Sequence, residues 1–488
     1  MVSEKFPYPP HNSDKIDIDK TPIKHCTVTL SDIIGRGNRL EASVYDVEAK
    51  QAREIVTNGK YAAVPLGGDS GLVDSYTCAR FKRIWVDHSD YPIYQPSSIV
   101  DIKPIPDGYI AESTDTNIDA LRVRKGQILM TCSGTIGKIA YVSTTLNNLI
   151  FSHDLLRINS HDDNAGYVYT YLKSKIGQQI LLTNSYGAVI THIEPEHLAS
   201  VPIPNAPTEI RREIHQMIVD SYALRDSSNK LLDKAMDLLV HELKLPPLEK
   251  IKVDDFIQNA PIETFSAKLS NLNNRVDASY HVPIVNAIID YLNKNAAEVT
   301  TLDDRRISCN VILPGRFKRV YVDEGYGRIF IGGKQLGELD PSNKKYLSIA
   351  QHGNRISNQL ELHENMTLIT CSGTIGKVAL VGKHWENWTA NQHIIRVIPA
   401  NNKIAGYLNV FLSSPYGYQL IKHYTYGAVI DEIDATHVRQ IPIPLLKNTK
   451  VQDEINELAL QASQNRYEAY LLEQKALRTM DQKVLFAK

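Results

Sequence analysis

Beyond Pro207 and again beyond Pro444 the chain runs on without Gly or Pro, and apolar or small residues recur in alternating steps of four and three. The first series is Ile210, Ile214, Met217, Ser221, Leu224, Ser228, Leu231, Ala235 and Leu238. The second is Val451, Ile455, Leu458, Ala462, Asn465, Ala469, Leu472, Ala476 and Thr479. This spacing predicts two long helices, each with a heptad seam on one side. From Ile210 to Leu238 such a helix extends about 42 Å, too long and one-sided to be stable without a partner. Small residues at Ser221, Ser228, Ala462 and Ala469 let two backbones approach, so the expected partner of each helix is the other, running antiparallel. The alternative is that each helix packs only on its own domain. Upstream of each helix the pattern changes to short β runs, such as Gln127–Thr131 and Met366–Thr370, broken by Gly and Pro turns, which predicts a mixed α/β domain.

These patterns occur twice because the chain is written twice. Thr131-Cys132-Ser133-Gly134-Thr135-Ile136-Gly137-Lys138 returns letter for letter as Thr370 to Lys377, a shift of 239. Tyr186-Gly187-Ala188-Val189-Ile190 returns at Tyr426 to Ile430, and Val201-Pro202-Ile203-Pro204 as Ile441-Pro442-Ile443-Pro444. Nearer each start, Asn38-Arg39-Leu40-Glu41-Ala42-Ser43 pairs with Asn274-Arg275-Val276-Asp277-Ala278-Ser279. Order is preserved and the shift barely drifts, so the two halves share a fold and differ mainly in loops. Two copies are too few for a solenoid and suggest a pseudo-two-fold molecule.

A length of 488 residues supports two to four domains. Hydrophobic residues at 43% and charged residues at 22% are ordinary for a globular chain. With 54 basic and 55 acidic side chains the net charge is -1, so any nucleic-acid surface must be local. No run is long and apolar enough to cross a bilayer, and Met1 to Lys20 lacks the apolar centre of an export signal. Cys26, Cys78, Cys132, Cys309 and Cys371 are odd in number and scattered, with no Cys-x-x-Cys pair. Reduced thiols in a cytoplasm are the expectation.

Candidate chemistry narrows quickly. The Ser-Gly-Thr-Ile-Gly-Lys turn has Cys132 and Cys371 where a phosphate-binding loop needs its first Gly, and Ile139 and Val378 where it needs Ser or Thr, so a structural turn is expected. Cys132 and Cys371 with His153 and His393 form a conceivable duplicated thiol–imidazole site, but nothing in the spacing brings them together. His192, His197, His423 and His437 show no ligand spacing common to both copies, and no metal site is expected. Neither Pro-Pro pair has the flanks an amino-methyltransferase needs, and no acidic cluster with Lys suits a metal-dependent nuclease. What recurs is a basic, aromatic segment: Arg80-Phe81-Lys82-Arg83-Ile84-Trp85 and Arg316-Phe317-Lys318-Arg319-Val320-Tyr321. Three cations in four positions, twice, suit contacts to a phosphate backbone. The competing reading is a strand with its cations in solvent and Ile84 and Val320 facing inward. Arg122, Arg124 and Lys138, with Arg328, Lys334 and Arg355 in the second copy, are candidates to extend the surface.

Two globular parts, each ending in a Pro-Ile-Pro segment and a long helix and each carrying Ser-Gly-Thr-Ile-Gly-Lys and Tyr-Gly-Ala, resemble the specificity subunit of type I restriction-modification enzymes. The resemblance extends from about Thr21 to the C-terminus. It implies an α+β fold class: two similar mixed α/β target recognition domains separated by two long antiparallel coiled-coil helices. The implied organisation is an N-terminal tail over 1–20, a first recognition domain over 21–206, a spacer helix over 207–245, a linker over 246–261, a second recognition domain over 262–446 and a spacer helix over 447–488. It also implies a non-catalytic chain without cofactor, whose domains each read half of a bipartite, asymmetric site on double-stranded DNA. Its helices would set the spacing and dock two methyltransferase subunits, with restriction and translocase subunits joining through the complex. An enzyme with a duplicated Cys/His site and a protein-interaction scaffold are the alternatives.

Overall fold

A computed structural model describes residues 27–35, 38–187, 191–251, 265–272 and 275–488. The expected tail over 1–20, Cys26, Asn274, residues 188–190 and most of the linker over 246–261 lie outside them. The chain divides into two units. One runs to Val100 and includes Pro104–Asp220 and Leu472–Lys488; the other holds Asp101–Lys103 and Ser221–Leu471.

In the first unit a four-stranded antiparallel sheet has the order Val73–Tyr76, Leu155–Ser160, Ile128–Thr131, Ile139–Tyr141. Ile128–Thr131 is buried at every residue because strands flank it on both sides, pairing Leu129 with Arg157 and with Ala140. This explains an apolar run with no alternation. A second sheet orders Trp85–Val86, Gly108–Ile110, Pro92–Tyr94 and Ile150–Phe151, the last pair parallel. Helices Ala165–Lys173 and Lys175–Thr183 follow, and the Pro-Ile-Pro segment Pro202–Pro204 pairs with Ala63–Pro65. Tyr167 fixes that segment by donating its hydroxyl to the Pro204 carbonyl at 2.6 Å.

The second unit repeats this topology. One sheet orders Ser308–Ile312, Ile394–Pro399, Thr367–Thr370 and Val378–Leu380; the other orders Tyr321–Val322, Lys345–Ser348, Gly327–Ile331 and Thr389–Ala390. Pro442–Leu445 pairs with Glu298–Thr301, and Tyr407 donates to the Pro444 carbonyl at 2.6 Å. Each domain is therefore α+β, as the resemblance implies.

The long helices span Thr208–Glu242 and Thr449–Met480, about 52 Å and 48 Å. Every position of the two predicted seams is buried or half-buried. Within the second unit Ser221 donates its hydroxyl to the Ala469 carbonyl at 2.7 Å, Arg466 Nε donates to Ser228 Oγ at 3.1 Å, and Lys234 pairs with Glu454 at 2.8 Å. Partner numbers fall along one helix as they rise along the other, so these segments run antiparallel. In the first unit Lys483 pairs with Glu213 at 2.7 Å. The ion pairs are exposed and contribute little; the buried Ser–Ala approach explains the small residues. Each helix is also seated on a domain: Gly166 N donates to His215 Nδ1 at 3.1 Å, and Gly406 N to Asn456 Oδ1 at 2.8 Å. Pairing and seating on a domain thus both stabilise these helices. Among the described residues no helix is long and apolar enough to cross a membrane.

Candidate nucleic-acid interface

The two basic segments occupy corresponding edges of the two small sheets, where Trp85–Val86 and Tyr321–Val322 are outer strands. Ile84 is 44% exposed, Val320 37% and Trp85 51%. The competing reading, in which Ile84 and Val320 face inward, therefore does not hold. Both residues lie just before two-residue edge strands, and their side chains stand partly in solvent beside the cations. Arg80, Lys82 and Lys318 are exposed and, among the described residues, make no hydrogen bond or ion pair. Arg316 is exposed and pairs with Glu432 at 3.2 Å, a contact worth a fraction of a kcal/mol. Arg83 and Arg319 turn inward: Arg83 Nη2 donates to Ser152 Oγ at 2.7 Å, and Arg319 Nη2 to Gln392 Oε1 at 2.8 Å.

The outlying candidates divide. Arg328 and Lys334 are exposed and unpaired among the described residues. Arg122 bonds Asp119 at 3.1 Å and the Asn148 carbonyl at 2.9 Å, while Arg124 bonds Asn148 Oδ1 at 3.0 Å. Arg355 donates to the Gly315 carbonyl at 3.3 Å and lies over the Phe317 ring at 4.9 Å. These three are engaged in holding loops. The Ser-Gly-Thr-Ile-Gly-Lys segments are tight turns between strands. Gly134, Gly137, Gly373 and Gly376 all have positive φ, and the Lys138 and Lys377 amides donate to Thr131 and Thr370 Oγ1 at 3.0 and 2.9 Å. A strand follows each turn, not the helix a phosphate loop needs.

Two functional candidates escaped the sequence. Arg157 and Arg396 sit in strands next to the central ones and are 0% and 1% exposed. No carboxylate among the described residues pairs with either. Arg157 donates to the carbonyls of Leu155 at 3.2 Å, Leu121 at 3.1 Å, Phe151 at 3.2 Å and Ser152 at 3.5 Å. Arg396 donates to those of Ile394 at 2.7 Å, Leu360 at 3.3 Å, Asn391 at 3.3 Å and Ala390. The four acceptors correspond one for one at the shift of 239. Burial pulls the Arg396 guanidinium down to about 9, which leaves it charged at neutral pH. The clamped turns carry His153 and His393, both held below the usual imidazole value chiefly by burial, with Arg83 and Arg319 among the cations that add to it. A cation flanked by apolar residues at the same offset in both copies was the available signal.

The family model of the type I restriction modification DNA specificity domain matches residues 82–234 and 330–472, each stretch running from the basic segment or its sheet into a long helix. The chain belongs to that family. Among solved structures, the type I restriction-modification S subunit from M. genitalium is 13% identical, with a TM-score of 0.30, over 88% of this chain and 97% of that one. The HsdS subunit from Thermoanaerobacter tengcongensis is 14% identical, with a TM-score of 0.26, over 87% and 98%. A chain from a type I system described for its complex assembly and conformational transition is 15% identical, with a TM-score of 0.27, over 85% and 97%. No curated protein sequence matches.

Within these specificity domains the duplicated Cys/His pair does not assemble as a nucleophile and base. Burial pushes the Cys132 thiol up to about 11 and the Cys371 thiol up to about 12, away from the thiolate that nucleophilic catalysis needs. Cys371 Sγ faces the Gln392 carbonyl at 3.9 Å, and no imidazole among the described residues bonds either thiol. Iodoacetamide at neutral pH is expected to alkylate exposed Cys309 and leave Cys132 and Cys371 unmodified. Peptide mass spectrometry checks this, and rapid labelling of Cys371 in the folded chain would restore the thiol site as a candidate. His423 is pushed down to about 4 by burial against Tyr280, and no group of three or more His, Cys, Asp or Glu among the described residues is arranged to hold a metal ion.

Proposed function

We propose that this chain is the DNA-specificity subunit of a type I restriction-modification system, without catalysis of its own, acting in the cytoplasm. Each recognition domain, over 21–206 and 262–446, binds one half of a bipartite, asymmetric site on double-stranded DNA. The helices over 207–245 and 447–488 space the halves and dock two methyltransferase subunits, through which restriction and translocase subunits join. The observation that supports this best is the presentation, at matching edges of two domains of one specificity family, of an exposed cation–aromatic strand. Cations without partners suit phosphates, and exposed Trp85 and Tyr321 suit sugar and base surfaces. Of the twelve candidate cations, Arg80, Lys82, Arg316, Lys318, Arg328 and Lys334 are the proposed phosphate contacts. Arg83, Arg122, Arg124, Lys138, Arg319 and Arg355 contribute by shaping the surface.

Replacing Arg316, Lys318 and Arg319 by Ala is expected to weaken duplex binding by the assembled complex. It should also make the log–log salt dependence shallower by about one unit for each phosphate that the variant no longer neutralises. Fluorescence anisotropy across a salt series measures both. An unchanged slope would place this segment away from DNA, and equal binding to all duplexes by the native assembly would remove the specificity reading.

A further inference from the structure

We infer that the turns Ser152-His153-Asp154 and Asn391-Gln392-His393 are the specificity-determining segments that meet base edges, and that Arg157 and Arg396 are positioning residues that hold their backbones. This rests on the proposed DNA-specificity role and names the residues that would carry it. The frame around each turn is constant. Arg157 and Arg396 grip four carbonyls at identical offsets, and the strands that follow, Leu155-Leu156-Arg157-Ile158 and Ile394-Ile395-Arg396-Val397, keep the same pattern. What varies is the tripeptide between, which differs at all three positions. Two readers of unlike DNA words need this combination: one frame, with unlike hydrogen-bonding side chains mounted on it.

Placement supports the assignment. Each turn touches its basic segment, through Arg83 to Ser152 and Arg319 to Gln392, and the His153 ring lies 5.4 Å from Phe81, edge to face. Cations that hold phosphates would therefore bring base edges to the turn. Ser152 is fully buried, so its hydroxyl serves Arg83, and the reader in the first domain is Asp154, with 48% of its side chain exposed, while the His153 side chain is only 12% exposed and stands 3.4 Å from the Asp154 carboxylate. In the second domain they are Gln392 and His393, both partly exposed and joined Nε2 to Nε2 at 3.0 Å with Gln392 Oε1 accepting from Arg319, while Asn391 Oδ1 accepts from the His393 amide at 2.9 Å and closes the turn. His, Gln and Asp supply the donors and acceptors that distinguish base pairs in the major groove.

The clamp itself favours a functional role. Burying a guanidinium without a carboxylate is a costly way to satisfy main-chain carbonyls, since no opposite charge offsets its desolvation. It does fix a backbone from one centre with donors aimed at three chain segments, and recognition demands a frame rigid to about 0.5 Å.

The test uses the full chain assembled with the methyltransferase chains of its own system and a randomised duplex library. Grafting the first turn onto the second domain (N391S/Q392H/H393D) is expected to change base preference by about tenfold or more at one or more positions of one half-site. The other half-site and the salt slope stay as in the native assembly. Wild-type preferences retained at every position would overturn the inference. Should the graft fail to fold, Q392A and H393A singly must relax preference in that same half-site, and native preferences in both would equally overturn it. Arg396→Lys, assayed well below its melting temperature, is expected to lower discrimination between preferred and scrambled duplexes about tenfold with the salt slope unchanged. A uniform loss on all duplexes would show that Arg396 serves folding alone. A native assembly without any sequence preference would instead fail the underlying reading.

Discussion

Replacing Arg396 by Met is expected to lower the melting temperature of the second domain by about 6 to 12 °C, which corresponds to about 3 kcal/mol for a unit of this size. The guanidinium supplies donors to the carbonyls of Leu360, Ala390, Asn391 and Ile394, all in or beside the core. Stranding a buried acceptor costs about 1–3 kcal/mol, so four of them outweigh the several kcal/mol recovered when a desolvated cation is removed. Lysine offers no rescue of stability, because its compact ammonium cannot reach four acceptors set around a planar fork. Exposed Arg328, replaced by Met in the same way, should leave the melting curve in place. Thermal unfolding followed by near-ultraviolet circular dichroism separates the two. A loss below about 1 kcal/mol for the Arg396 variant would mean that water or a shifted backbone satisfies those carbonyls.

Arg157 and Arg396 also mark where the sequence stops being legible. The repeat, the seams and the central apolar strands could be predicted because periodicity reports burial for residues whose preference is unambiguous. Ile128–Thr131 and Ile214 behave as their side chains require. An Arg within a strand is ambiguous. Its burial is decided by carbonyls from three segments up to 36 residues away, and no local pattern displays that convergence. The competing reading of Ile84 and Val320 fails for the converse reason: alternation along a strand would give them an inner face, but both residues lie just before two-residue edge strands. The role of Arg39 and Arg275 was hidden likewise. Each donates to main-chain carbonyls at the base of the Tyr-Gly-Ala loop, Ser185 in one copy and Tyr424 and Thr425 in the other, joining motifs about 150 residues apart. Their recurrence in both copies signalled importance without revealing what they hold. Of the twelve cations proposed for DNA, several proved to be loop fasteners, since charge in a sequence does not say whether it is already satisfied.

Gly406→Ala should destabilise the second domain, although helix propensity alone predicts a gain of up to about 1 kcal/mol. Gly406 lies within the helix Asn402–Ser413, and a Cβ there would meet the Asn456 carbonyl oxygen at 2.4 Å and the Ala459 Cβ at 3.0 Å. The first contact is with backbone, which cannot rotate aside, so the two helices must separate. The Asn456 carboxamide bridges one helical turn, accepting from Gly406 N at 2.8 Å and donating to the Asn402 carbonyl at 3.0 Å, and separation breaks both bonds. Overpacking of this kind costs about 1–3 kcal/mol, and two weakened buried hydrogen bonds add about 1 kcal/mol each. The expected net loss is about 2–4 kcal/mol. Asn456→Ala should lose a similar amount without any clash, which separates the hydrogen bonds from the steric term. Gly166 meets His215 backbone at 2.6 Å in the same manner, so Gly166→Ala should act likewise on the first domain. Because this contact seats the start of each long helix on its domain, both glycine variants should also impair binding of the assembly to the full bipartite site more than to a duplex carrying one half-site. Chemical denaturation and paired anisotropy titrations measure these effects. A Gly406→Ala chain as stable as the native one would show that the helix can shift on its seat, and half-site spacing would then have to be set elsewhere along the paired helices.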